Sequence, residues 1–109
     1  MNPTTLKIGI WQDAGISGDI EANPKIVKNA AKKASDQGIH LLIFPECFLT
    51  GYFRKSEIRE LAEQVDAVAI DRLSNISKES NVALLMGVYE ISGDNVFNSA
   101  ICISPLQGE

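Results

Sequence analysis

The sequence predicts an α/β fold, in which a mainly parallel sheet is covered by helices. Apolar runs of strand length alternate with segments of helical period, and prolines, glycines and polar turns separate them. The predicted element order is β-α-β-α-α-β-β. Strands joined by helices pair in parallel, whereas the closing hairpin adds an antiparallel strand. Because no repeat or linker divides the 109 residues, we expect residues 1–109 to belong to one domain.

The first strand and the first helix have clear signals. Residues 6–11 alternate between apolar and other side chains with period two, which is typical of a strand. Asn23 followed by Pro24 predicts a helix start, because asparagine caps a helix and proline fits its first turn. We therefore predict a helix over 24–37. Gly38 suits the left-handed residue just past its end.

The middle of the chain predicts one strand and two helices. Residues 39–44 are apolar apart from His40, a pattern typical of a strand covered on both faces. Ser56 is a candidate cap for a short helix with apolar residues at 58, 61, 62 and 65. Asp66 is a candidate cap for the next helix. The inner stripe of that helix is predicted to hold Ala69, Ile70, Leu73 and Ile76.

The last part of the chain predicts a β-hairpin. Residues 82–89 form a second buried strand pattern, and residues 96–103 form the strand that returns before Pro105. Ser92-Gly93-Asp94-Asn95 supplies the turn. The final residues, 106–109, are typical of a turn that leads onward, so we expect more chain to follow.

Composition and charge exclude several classes of protein. Ten Lys and Arg against fourteen Asp and Glu give a net charge of −4, and there is no basic cluster, so nucleic acid and anionic membranes are poor partners. The apolar runs are too short to span a bilayer, and the first residues lack a signal-peptide pattern. Cys47 and Cys102 lie in or beside apolar strand-like runs, which favours buried free thiols. We therefore expect a cytoplasmic protein.

Glu46 is the candidate for acid–base chemistry. It follows a buried strand and Pro45 directly, and apolar side chains flank it. In an α/β sheet, reactive groups gather at the carboxyl ends of the strands. Desolvation at that position raises the pKa of a carboxyl group and makes it a proton acceptor and donor near neutral pH. The structural alternative, that Glu46 caps a loop or pairs with a cation, stays open.

At this point the sequence resembles the nitrilase, or carbon–nitrogen hydrolase, superfamily. The segment LLIFPECFLTGY at 41–52 is similar to the family's apolar strand, F-P-E and G-Y signature. Gly87-Val88-Tyr89-Glu90 is similar to its G-x-x-E segment, and Val96-Phe97-Asn98-Ser99-Ala100 to its Y-N-S-A segment. The resemblance covers nearly the whole chain.

The resemblance implies the first half of an α-β-β-α sandwich hydrolase. The family cleaves amide or nitrile C–N bonds with a Glu-Lys-Cys triad and without a cofactor. Glu takes the thiol proton, the thiolate attacks carbon, and Lys stabilises the tetrahedral charge. Glu46 matches the first role. The family's lysine and cysteine lie further along than Glu109, so the chain alone is expected to be inactive.

Other residues receive smaller roles. Tyr52 and Asn98 are candidate substrate-binding residues; core packing for Tyr52, and the end of a strand turn for Asn98, are the alternatives. Cys47 is expected to be a core residue and not the nucleophile, because adjacent residues on an extended chain point to opposite sides. Lys55 continues the G-Y loop and is given no catalytic role. His40 is expected to have a satisfied ring, and no cluster of residues has metal-ligand spacing.

Three hypotheses about function follow. The first is an amidase or nitrilase that acts on a small amide or nitrile and forms a homo-oligomer or a complex with a complementing C-terminal polypeptide. The second is a catalytically inactive, truncated or split module that acts through a partner. The third is a doubly wound small-ligand-binding domain, although no G-x-G-x-x-G motif opens the first helix.

Overall fold

A computed structural model describes residues 5–12, 21–45, 48, 62–63 and 65–106. Within these ranges, one sheet has the strand order β1-β2-β3-β4. The first three strands are parallel, and β4 is antiparallel to β3. This arrangement confirms the predicted α/β class and the closing hairpin. The elements are β1 (Ile8–Ile10), α1 (Ala22–Asp36), β2 (Leu41–Ile43), α2 (Ala67–Ser80), β3 (Ala83–Ser92) and β4 (Asn95–Ile103).

Helix α1 begins earlier than the sequence predicts. Its first residue is Ala22, so Asn23 lies inside the first turn, where it is buried, and does not cap the helix. Pro24 is accommodated because the first backbone N–H groups of a helix have no partner within the helix anyway. At the other end, Gly38 has φ 73°, which confirms the predicted left-handed residue after the helix.

Helix α2 forms as its sequence predicts. The Asp66 side chain accepts a hydrogen bond of 2.9 Å from the backbone N–H of Ala69, so Asp66 is the N-cap. Leu73 is completely buried and Ile76 nearly so. An ion pair of 3.0 Å between Arg72 and Glu21 also connects α2 to the start of α1 at the surface.

Both helices pack on the same face of the sheet. On that face, one residue of each strand lies at the same register position: Gly9, Leu42, Leu84 and Ile103. The last three are at most 4% exposed. Gly9 is closely packed, because a Cβ there would lie 2.9 Å from Cδ1 of Ile39, so the end of the Ile39 side chain would have to shift to admit one. The main hydrophobic core therefore lies between this face and the two helices.

At the level of β1 and β2, no described element covers the opposite face of the sheet, whereas farther along β3 Tyr89 is buried against Ala62. The corresponding row of this face is Ile10, Ile43, Leu85 and Cys102. Ile10 is 67% exposed, and Ile8, one row away, is 52% exposed. We call this surface the open face.

The open face corrects two expectations. In strand β2, Leu42 is buried, whereas Leu41 and Ile43 are only partly buried. In this chain the strand is therefore covered fully on one face only. Cys102, which we expected to be buried, is a free, exposed cysteine. The reason is the alternation of side chains along a strand: Ile103 points to the helices, so its neighbour Cys102 points to the open face.

Some sequence-based predictions lie outside the described residues. They include the loop at 46–55 and most of the helix expected from Ser56. Ala62 and Glu63, which are described, are helical, and Ala62 is buried against Tyr89. Val65 is not helical. None of the helices in the described ranges has the length and apolar character that crossing a bilayer requires.

Candidate active site

The carboxyl ends of the parallel strands meet at one edge of the sheet. The Trp11 backbone N–H donates to the carbonyl oxygen of Ile43 at 2.8 Å, and the Phe44 N–H donates to the carbonyl oxygen of Leu85 at 2.8 Å. These two bonds continue the pairing past the ends of β1 and β2. The chain at Phe44 and Pro45 therefore leaves the sheet between its two neighbouring strands. This is the edge where α/β proteins place their ligands.

An aromatic cluster fixes the chain on both sides of Glu46. The rings of Phe44 and Phe48 have centroids 5.0 Å apart with planes tilted by 48°, and Trp11 lies 6.5 Å from Phe44. Phe44 and Phe48 are 4% and 2% exposed. Each tilted pair adds about 0.5–1.5 kcal/mol beyond area burial. Phe44 and Phe48 are thus held at this edge, whereas Glu46 and Cys47 lie outside the described residues.

One polar atom of the cluster lacks a partner. Nε1 of Trp11 is shielded from solvent and makes no hydrogen bond in the structure as described. A buried donor without an acceptor costs about 1–3 kcal/mol. Sequence analysis did not single out this donor, although a tryptophan directly after a strand that leads to the carboxyl edge is a signal that it can use.

A hollow of about 350 Å³ lies beside this edge. Gly87, which has no side chain, pairs with Ala100, whose side chain is a single methyl group, and together they leave room that larger residues would fill. Two of the hollow's lining residues, Ile43 and Leu85, belong to the open-face row of the sheet. The hollow is lined by Ile43, Phe44, Leu85, Met86, Gly87, Asn98, Ser99 and Ala100.

Of the candidate residues, Asn98 is the one that the described part of the chain includes, and it lies in this region. Asn98 is an exposed residue within β4, opposite Tyr89, so it does not end a strand turn. It lies in the lining of the hollow together with Phe44. The other candidates, Glu46 and Tyr52, lie outside the described residues, as does Lys55. Their assigned roles stay predictions.

The two later motif segments form one hairpin. Gly87 pairs with Ala100 and Glu90 pairs with Phe97, so the segments 87–90 and 97–100 are direct neighbours. The Ser99 hydroxyl lies 3.5 Å from Oε1 of Glu90. Segments separated in the sequence thus build one wall beside the carboxyl edge.

His40 lies away from this edge and has a structural role. It precedes β2, and its Nδ1 accepts a 2.9 Å hydrogen bond from the backbone N–H of Lys7. The predicted satisfied ring is therefore confirmed. In the described part of the chain, no group of three or more His, Cys, Asp or Glu residues is placed to hold a metal ion.

Comparison with known proteins identifies the family. The family model for carbon-nitrogen hydrolases matches residues 7–108. The chain belongs to the carbon–nitrogen hydrolase family. This match includes every described strand and both helices, and it confirms the resemblance that the motifs at 41–52, 87–90 and 96–100 carry.

Individual members of the carbon–nitrogen hydrolase family are similar over most of this chain. An (R)-stereoselective amidase from a Pseudomonas species is 30% identical over 101 residues, which are 92% of this chain and 36% of the amidase. A nitrilase from Pyrococcus abyssi is 31% identical over 79% of this chain and 37% of its own length. The crystal structure of an amidase from a Nesterenkonia species superimposes with a TM-score of 0.83 at 29% identity, covering 95% of this chain and 40% of that one.

This chain matches only part of the length of each of these relatives. The chain spans between 36% and 40% of the length of these relatives. It therefore has the fold of the first part of a nitrilase-superfamily hydrolase.

Proposed function

We propose that the polypeptide that carries this chain hydrolyses the carbon–nitrogen bond of a small amide or nitrile, with Glu46 as general base. The family match over residues 7–108 is the observation that carries the proposal. The packing of Phe44 against Phe48 at the carboxyl edge supports it, because these two buried residues lie on either side of Glu46 in the sequence.

In the proposed amide reaction, Glu46 takes the proton of a cysteine thiol, and the thiolate attacks the carbonyl carbon. A lysine ammonium stabilises the negative charge that develops on oxygen. The C–N bond breaks, the nitrogen leaves as ammonia with the proton from Glu46, and a thioester remains. Water then attacks the thioester; its proton passes through Glu46 to the departing sulfur, which releases the acid and restores the thiol.

We place the lysine and the cysteine of this triad in the remaining polypeptide, because no residue of this chain stands in the matching positions. We assign substrate binding to Asn98, at the hollow, and to Tyr52. The hollow is apolar at Ile43, Leu85 and Ala100 and polar at Asn98.

The test of the proposed base is Glu46→Gln in the full-length polypeptide. Glutamine keeps the shape and the hydrogen bonding of the side chain but accepts no proton. We expect turnover to fall by about 10² or more, with the circular dichroism spectrum unchanged. Glu79→Gln is the matched control, because Glu79 is exposed on α2. Turnover of Glu46→Gln within a few-fold of the parent would reject the assignment.

A second candidate function is favoured by the open face. Here the chain is an inactive module that binds a complementing polypeptide or a second copy of itself through the exposed row. Apolar surfaces of this kind drive association. We expect residues 1–109 alone to show no amidase or nitrilase activity and to self-associate in light scattering. Activity that appears only on mixing with the remaining polypeptide would establish the split arrangement.

A matched pair of substitutions tests the surface itself. Ile10, on the open face, is 67% exposed, and Val68, on α2, is 68% exposed. Ile10→Asp should abolish association or complementation, whereas Val68→Asp should leave it unchanged. Equal effects of the two substitutions, or a compact monomer with no binding of an apolar dye, would reject the role of the open face.

A further inference from the structure

A second hollow, of about 340 Å³, lies between helices α1 and α2. We call it the interhelical hollow. Its lining residues all belong to these two helices and include the nearly buried Ile76 and the exposed Asn75. It shares no residue with the hollow at the carboxyl edge of the sheet, so it is separate from the candidate active site.

Folding brings three cations to the interhelical hollow. Lys25 and Lys28 are three residues apart on α1, so their side chains are neighbours on one face of that helix. Arg72 comes from α2. Glu79 is the single carboxylate in the lining. The chain carries a net charge of −4, so this local excess of positive charge is created by the packing of α1 against α2.

The three cations differ in what they already bind. Arg72 is held in place, because its Nη1 donates a 3.0 Å hydrogen bond to Oε2 of Glu21. A guanidinium has five N–H donors, so the others stay available to a ligand. Within the described ranges, Lys25 and Lys28 are exposed and make no ion pair.

This arrangement favours anionic oxygen atoms. Cations that surround one concave site create a positive potential there and attract ions of opposite charge. Hydrogen bonds from ammonium and guanidinium groups to carboxylate or phosphate oxygens are stronger than those between neutral groups. A ligand with two or more anionic groups can contact the cations of both helices at the same time.

We propose that the interhelical hollow binds a small polyanion, with two or more carboxylate or phosphate groups, through Lys25, Lys28 and Arg72. The ligand is small because the chain as a whole is acidic and repels an extended polyanion such as a nucleic acid. The site uses none of the residues assigned to hydrolysis, so it goes beyond the proposed function and stands or fails independently of it.

The test is isothermal titration calorimetry of the full-length polypeptide at low ionic strength. Pyrophosphate is the probe in one arm and citrate in the other. We expect saturable binding with one site per chain that weakens as potassium chloride is added, because salt screens exposed charges. The tighter of the two probes shows whether phosphate or carboxylate groups are preferred.

Substitutions locate the binding site. Lys25→Gln and Lys28→Gln should each weaken binding by about fivefold or more, because each removes one charged donor. Lys33→Gln is the matched control, since Lys33 is also exposed on α1 but does not line the interhelical hollow. This control should leave the affinity within about twofold of the parent. Lys25 and Lys28 decide the result, because both are exposed and their replacement leaves the packing of α1 intact.

Arg72→Gln should weaken binding further, but it also removes the ion pair with Glu21, so its circular dichroism spectrum is compared with that of the parent. Two results overturn the proposal. One is that neither probe binds saturably. The other is that Lys33→Gln weakens binding as much as Lys25→Gln and Lys28→Gln do, since general charge and not the interhelical hollow would then attract the anion.

Discussion

Leu84 and Leu85 are neighbouring leucines of β3 that point to opposite faces of the sheet, and truncating each in turn tests the half-sandwich structure. Leu84 is fully buried between the sheet and the helices, in the row that includes Leu42 and Ile103. Leu85 is half-buried and lies on the open face, next to Ile43. The residue type is the same at both positions, so the two costs differ through burial alone.

The magnitudes follow from that burial. Leu84→Ala removes fully buried carbon atoms and leaves a cavity, so it should lower the free energy of unfolding by about 2–5 kcal/mol. Complete burial of a leucine side chain is worth about 1.5–3 kcal/mol. Because Leu85 is half-buried and water enters the space left on the open face, Leu85→Ala in residues 1–109 should cost only about 1 kcal/mol.

The assay is urea unfolding followed by circular dichroism, on residues 1–109 and on the full-length polypeptide. Leu84→Ala should cost the same in both. The cost of Leu85→Ala should rise in the full-length polypeptide to about 2–5 kcal/mol, because a second sheet then buries its side chain. Measurement at several protein concentrations separates this effect from self-association.

Two results would refute the reasoning. If Leu85→Ala costs as much as Leu84→Ala in residues 1–109 at every concentration, the open face is already covered within this chain. If the cost of Leu85→Ala does not rise in the full-length polypeptide, no second layer packs on this face.

Two further predictions concern exposure and capping. The exposed thiol of Cys102 should react with an aromatic disulfide reagent in residues 1–109 and be protected in the full-length polypeptide. The measurement is the rate of thiol labelling in a Cys47→Ser background. Equal labelling rates in the two polypeptides would contradict a covered face. Asp66→Ala removes the acceptor of the Ala69 N–H and should lower the free energy of unfolding by about 1 kcal/mol. Asp71→Ala, at an exposed position within the same helix, should change the free energy of unfolding by less than about 0.5 kcal/mol.

Local signals predicted the elements well because their causes are local. The cap at Asp66, the left-handed residue at Gly38 and the turn at Gly93, with φ 60°, each depend on a few neighbouring residues. The one clear error of this kind is the start of α1. There Asn23 and Pro24 predict a cap and a first residue, but the helix begins at Ala22, since proline fits any position in the first turn.

The candidate site was predictable in part. The motif around Glu46 indicated the family, which the match over residues 7–108 confirms, but the role of Glu46 itself stays a prediction. Sequence reasoning missed the orphaned indole of Trp11 and the hollow between Gly87 and Ala100. Both depend on which residues of different strands become neighbours. The pairing register between strands cannot be predicted from the sequence of one segment alone.

The sequence by itself determined the α/β class, the strand and helix order, and the segments that carry the family signature. Periodicity and capping are properties of short stretches of sequence, so they can be recognised without knowing which other elements pack against them. Only the tertiary structure decided which face of each strand is covered. An apolar strand such as β2 has the same sequence pattern whether one of its faces or both are packed. Cys102 and Ile10 are exposed because α1 and α2 lie on the other face of the sheet. Burial is thus a property of the whole assembly of elements and not of the strand alone.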